Sequence, residues 1–552
     1  MSRRSPAPAD TILTSAPVFT MNLAQRWADF VAITGDRIVA VGDTASVKDW
    51  IGPSTQVVEL NGGLILPAFQ DAHAHPLHGG LAQLRCELHE ASGRDSYLEI
   101  IQRYAQDNPD AEWIDGGGWS MDDFTGGTPE RSLLDTIVPD RPVFLTNRDG
   151  HGAWVNSLAL ELAGIDDSTP DPSGGRIERD ERGEPQGTLH EHAMDAVAAL
   201  VPEATPEERE EGLRLAQRQL HALGISSWQD AWIVDREFDA YVALEERGEL
   251  SARVVLSLLW DRDRDESQID GLMERRRRGD LERVKADTVK IFQDGVVENF
   301  TAAMLGPYLD GSGNETSNSG ISMVEPDLLN RYVTALDAQG FQVHIHAIGD
   351  RAVRESLDAF EAAQVRNGRR DARHHIAHIQ VVDGNDVPRF RTLGVVANAQ
   401  PLWASLEPQM ENLTIPFLAP ERARQQYPFA SLRRAGATIA FGSDWPVSSP
   451  DPLLEMEVAI TRVDPANRDG EPLLPEERLD LPAALEAFTM GAAYVNRLER
   501  DTGSIEVGKL ADIAVLDRDP FEPGAGPLGE AKVVLTLVDG KPVHGDPSIG
   551  LD

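Results

Sequence analysis

Between about residue 66 and the last 50 residues, short apolar runs alternate with longer helical stretches, and no other feature narrows the possible folds so far. Runs at 288–292, 341–346, 395–399 and 438–441 read as buried strands, and stretches at 207–223, 327–338 and 352–363 read as helices. Buried strands separated by helices mark repeated βα units around a parallel sheet, and a closed barrel fits them better than an open sheet. The first 65 residues read differently, as short strands at 11–14, 30–33 and 37–41 broken by turns such as Thr34-Gly35-Asp36. The chain end is similar, with strands at 511–516 and 533–538 and a hairpin turn at Asp539-Gly540. Two β segments at opposite ends of a chain can share one small sheet. The expected fold is therefore α/β: a (β/α)8 TIM-like barrel over 67–494 and a small discontinuous β-sandwich domain from 1–66 and 495–552. The stretch 111–202 is rich in Gly, Asp and Pro and too long for one βα unit, so it is expected to be a lid inserted over the barrel mouth.

Charge removes several classes of function. With 51 basic against 91 acidic residues the net charge is -40, which makes nucleic acid and anionic membrane surfaces poor partners. The one basic run, at 275–278, is expected to cover a helix surface. No apolar run approaches the ~20 residues of a membrane span, and the single cysteine, Cys86, permits no internal disulfide. A soluble cytoplasmic protein is the expectation. Cys86 has no catalytic motif around it and there is no Gly-x-Ser-x-Gly elbow, so a Ser or Cys nucleophile is not expected.

Chemistry is concentrated at strand ends. In Asp71-Ala72-His73-Ala74-His75 the two histidines share a face of an extended segment and can meet one ion. A lone His-x-His is equally served by loop hydrogen bonds, so its companions decide. His346, His378, Asp444 and Lys290 each lie at or near the end of an expected strand. Such ends converge on one barrel mouth, where imidazole and carboxylate donors suit zinc or a similar divalent ion. His344 competes with His346, and His374 and His375 compete with His378.

These segments resemble a metal-dependent amidohydrolase, in the subgroup of N-substituted formamide deformylases and exoenzyme-regulator-like amidohydrolases. The matching stretches are Gly62-Gly-Leu-Ile-Leu-Pro-Ala-Phe-Gln-Asp-Ala-His-Ala-His, Val289-Lys-Ile-Phe-Gln-Asp-Gly, His346-Ala-Ile-Gly-Asp-Arg-Ala-Val, His375-Ile-Ala-His-Ile-Gln and Gly442-Ser-Asp-Trp-Pro-Val. The resemblance implies that His73 and His75 bind one metal and that His346 and His378 bind a second or shared one. It further implies that Lys290 is carboxylated to bridge them, because a carbamate offers oxygens where an ammonium offers no lone pair. A buried Lys290 paired with Asp294 is the alternative. Asp444 is implied as ligand and proton carrier, with a structural loop carboxylate as its alternative, and His378 is a second catalytic candidate. In the insertion, Trp119, Arg148 and His151 are candidate substrate-binding residues, with Glu191 and His192 weaker ones. Lid packing and loop hydrogen bonding are their alternatives.

The expected reaction is hydrolysis of a non-peptide C–N bond in a linear amide, an N-substituted formamide or other N-acyl compound, by hydroxide generated on one or two divalent ions. The alternatives are a cyclic amide or imide hydrolase, a deaminase, or a non-enzymatic metal-binding regulator. The expected partner is a small-molecule amide, and a homodimer is compatible with the fold.

Overall fold

The structure is a computed structural model that describes residues 7–546. Its centre is a parallel sheet of eight strands: β1 (Phe69–Ala74), β2 (Ile225–Ile233), β3 (Arg253–Leu259), β4 (Val284–Phe292), β5 (Gln342–Ala347), β6 (His375–His378), β7 (Val396–Ala399) and β8 (Ile439–Phe441). Each pairs with the next in chain order, so the sheet curls into a TIM-like barrel. No ladder joins β8 to β1. The gap is bridged just beyond β8, where Asp444 N donates to His73 O at 2.7 Å and His75 N donates to Trp445 O at 2.7 Å. Gly442 makes the approach possible, since a Cβ there would stand 2.4 Å from His73 N.

Side-chain alternation along the strands decides what faces in and what faces out. From β4 and β5, Val289, Ile291, Val343 and Ile345 enter the apolar layer shared with the surrounding helices. The intervening residues turn into the barrel and bond across it: Thr288 Oγ1 donates to Gln342 Oε1 at 2.7 Å, and Gln229 Nε2 donates to Thr288 Oγ1 at 3.2 Å. These side chains bond to one another across the lower barrel, as burial favours.

Helices start where local chemistry favours them. The helix Pro206–Ala222 begins with proline after Thr205, whose side chain accepts from Glu208 N while Glu208 Oε2 accepts from Thr205 N. That reciprocal cap satisfies two otherwise unpaired donors. In the helix Ile269–Arg278 the basic run covers surface, with Arg275 paired to Asp235, Arg278 to Asp239 and Arg276 lying over Phe341. Among the described residues, no helix is long and apolar enough to cross a membrane.

The two ends of the chain meet in one eight-stranded mixed sheet. The strand Leu64–Pro67, which leads into β1, pairs antiparallel with Ile513–Leu516. A third sheet of six strands runs from Cys86–Glu87 to Pro185–Glu191, between β1 and β2. It begins upstream of residue 111 because Cys86–Glu87 pairs with the strand Ile114–Trp119.

The terminal sheet is clamped to the barrel by charge. Arg253, at the start of β3, reaches Asp512 and Asp539, and Arg283 also reaches Asp539. The Asp512 side chain is 3% exposed, so removing the guanidinium strands a buried carboxylate. Arg253→Leu is expected to cost about 3–5 kcal/mol, read as an earlier loss of structure in urea, whereas Arg434→Leu on the exposed surface leaves the midpoint nearly unchanged.

Candidate metal centre

The residues at the strand ends gather at one mouth. Nε2 of His75 lies 3.0 Å and Nε2 of His73 3.1 Å from the same oxygen, Asp444 Oδ1. Together these three residues offer donor atoms all within 4.8 Å of one another. The His378 ring centre is 4.8 Å from that of His73 and 4.6 Å from that of His346, which brings the second pair of histidines to the same place. Lys290 points into the barrel from β4 with its Nζ 4.9 Å from the Phe292 ring centre.

Buried groups behind the mouth set the direction of these donors. Asp71 accepts from His73 N at 3.0 Å, from Ser443 N at 3.1 Å and from Ser443 Oγ at 2.6 Å, stapling β1 to the Asp444 turn. His344 Nε2 lies 2.9 Å from His73 Nδ1, so His344 braces a donor and does not reach the mouth itself. His346 Nδ1 is 3.2 Å from Asp294 Oδ1, while Asp294 also accepts from Ile348 N, Gly349 N and Ala303 N. A histidine so held presents its other nitrogen outward. The rivals of His378 are also resolved: His374 binds Val343 N and Asp337, and His375 packs behind His344 with ring centres 4.0 Å apart. His378 and Asp444 both adopt left-handed backbone conformations, φ 76° and 57°, which side chains disfavour and which surrounding contacts must enforce.

Burial makes this a site of neutral nitrogens. It pushes His73, His346 and His378 well below the ordinary histidine range, and the nearby positive charge of Lys290 acts in the same direction. Burial likewise pushes Lys290 down to about 7, against the pull of Asp444. Asp294 is not the counter-ion of Lys290, contrary to the alternative in the sequence, because its oxygens are spent on His346 and three backbone N–H groups. Among the described residues Lys290 forms no ion pair.

The donor set fits a divalent ion. Two imidazole nitrogens directed at one carboxylate oxygen leave a surplus of lone pairs. The Nε2 of His73 is buried without a hydrogen bond, near Asp444 Oδ1 but poorly aligned with it. Uncompensated buried acceptors are costly unless something positive sits among them.

The lid candidates separate. His151 reaches the mouth, its ring centre 5.8 Å from that of His346 and its Nδ1 3.0 Å from Glu191 Oε2. Burial pushes His151 down, but the charge and hydrogen bond of Glu191, joined by the charges of Asp149 and Asp444, together raise it; burial likewise opposes the lowering of Glu191, which His151 and Thr301 bring about. Arg148 donates to His89 O at 3.0 Å and braces the lid loop. Trp119, a substrate-binding candidate in the sequence, takes its alternative role in lid packing. It is fully buried in the lid core against Phe124 and Trp154, its indole N–H donating to Leu145 O, so no ring face remains for a ligand. Trp232, at the end of β2 and 37% exposed, occupies the mouth instead. Its ring centre is 5.0 Å from that of Phe292, which in turn is 5.1 Å from His346. An isolated tryptophan gave no sequence signal, whereas Asp71 and Asp294 lay inside the quoted motifs.

The model described as Amidohydrolase family matches residues 56–544. The chain is 32% identical to Protein LONG AFTER FAR-RED 3 of Arabidopsis thaliana, over 97% of this chain and 92% of that protein. It is 27% identical to an N-substituted formamide deformylase of Arthrobacter pascens, over 96% of this chain and 97% of that one. The crystal structure of an uncharacterized metal-dependent hydrolase from Pyrococcus furiosus superposes with a TM-score of 0.71 at 26% identity, covering 93% of this chain and 100% of that one. The chain belongs to the amidohydrolase family, metal-dependent hydrolases that act on carbon–nitrogen bonds.

Proposed function

We propose that this protein hydrolyses a non-peptide linear amide, an N-substituted formamide or other N-acyl compound, with zinc as its metal. The observation that carries the reading is the convergence of His73 and His75 on one oxygen of Asp444, beside a buried Lys290 that forms no ion pair among the described residues. His73, His75 and Asp444, with His346, His378 and a carbamate on Lys290, would hold one or two ions. A divalent ion held there would make water acidic enough to lose a proton near neutral pH and would polarise the amide carbonyl.

The chain's own groups supply the rest. Asp444 has Oδ1 turned to the two histidines, and among the described residues no hydrogen bond engages its Oδ2. That oxygen is placed to take the proton released from the attacking water and pass it to the departing nitrogen. His378 is held flat against Trp403, with ring centres 5.3 Å apart and planes 9° apart, which fixes its direction toward the mouth. Trp232 and Phe292 form an apolar wall from the solvent down to His346, suited to the substituent of a small amide. The relative from Arthrobacter pascens is named for N-substituted formamides, which favours that class over cyclic amides.

Three outcomes are expected. Protein treated with a chelator loses turnover on a panel of N-substituted formamides, N-acyl amines and lactams, zinc restores it, and the formamides and N-acyl amines react faster than the lactams. Preserved turnover without metal on every compound sinks the reading. Asp444→Asn lowers kcat by about 100- to 10,000-fold, measured on zinc-loaded protein whose circular dichroism matches the parent. Protein equilibrated with 13C-bicarbonate shows a carbamate carbon resonance that disappears in Lys290→Arg; its absence from the parent removes the carbamate.

A further inference from the structure

We infer that Glu191 of the lid is a positioning residue: it holds the His151 ring so that Nε2 faces the reacting centre and touches the amide group of the substrate. The inference rests on the hydrolase reading above and extends it, since it makes the lid a contributor to the site and more than its cover.

Two parts of the chain converge to fix this one ring. Glu191 ends the lid strand Pro185–Glu191 and accepts through Oε2 from His151 Nδ1 at 3.0 Å. Its Oε1 accepts from Thr301 Oγ1 at 2.9 Å, in the loop that follows β4. From the same loop Asn299 Nδ2 donates to His151 O at 3.1 Å, holding the backbone beneath the ring. Gly295 leaves the slot open, because a Cβ there would stand 2.7 Å from Glu191 Oε1 and 2.1 Å from Thr301 Oγ1.

The arrangement is also maintained against cost. Glu191 takes a left-handed backbone conformation, φ 51°, unfavourable for a residue with a side chain, and its side chain is only 8% exposed. The neighbouring lid histidines are used otherwise, His190 toward Glu178 and His192 toward Asp195. Only His151 turns to the centre, 5.8 Å from His346 between ring centres, with its side chain 15% exposed. Once a carboxylate engages Nδ1–H, Nε2 is the nitrogen presented to whatever occupies the mouth, and no hydrogen bond to it is formed among the described residues.

The test uses zinc-loaded full-length protein and acetohydroxamate, a small amide-like chelator, with affinity measured by calorimetry. Glu191→Ala, His151→Ala and the double variant are each expected to weaken binding by the same factor of about 10–100, because removing the holder and removing the ring lose one interaction. Glu191→Gln, which still offers an oxygen to Nδ1–H, is expected to retain most of the affinity. Zinc content and thermal midpoint are expected to match the parent in all four. Parent-like binding by Glu191→Ala, losses that add in the double variant, or a Gln variant as weak as Ala would each overturn the inference while leaving the hydrolase reading intact. A parent protein that binds no acetohydroxamate overturns both, and is recognised because it precedes any comparison of variants.

Discussion

The seam between β1 and β8 is where closure of the barrel and assembly of the metal centre become one event. No ladder spans it; two backbone hydrogen bonds do, Asp444 N to His73 O and His75 N to Trp445 O. The residues making those bonds, or their immediate neighbours, are the ones whose side chains meet at Asp444 Oδ1. Asp71 reinforces the joint by accepting from both sides of it, and burial raises its carboxyl to about 7. A donor set drawn from residues 73 and 444 is therefore as precise as the last contact in the barrel.

From that seam the electrostatics follow outward in layers. The barrel interior removes water from the histidines and from Lys290, which favours their neutral, lone-pair-bearing forms. Behind them His344 and Asp294 fix individual rings by hydrogen bonds, each buried and each otherwise satisfied. Below these, Thr288, Gln342 and Gln229 close a bonded floor. An interior of this kind spends folding stability to keep polar atoms dry, and the outer apolar layer between strands and helices offsets that cost.

The lid obeys the same logic from above. Its core is centred on Trp119, Phe124 and Trp154. Its contacts with the barrel include Thr301 with Glu191 and Asn299 with the His151 carbonyl.

The sequence by itself determined the barrel class and the donor types. A two-residue period puts His73 and His75, or His344 and His346, on one face, and strand ends of parallel units share one rim. Such arguments are local, and they stop where choice depends on register between strands. Only the tertiary structure decided that His346 faces the mouth while His344 braces His73, that His378 and not His374 or His375 joins them, and that Asp294 serves His346 instead of Lys290. It also decided that Trp119 packs inside the lid while Trp232 lines the mouth. The physical reason is common to the first three. Spacing along a strand fixes which face a side chain takes, but depth in the barrel and the neighbour it meets are set by how far adjacent strands are staggered, and that is a property of the closed ring.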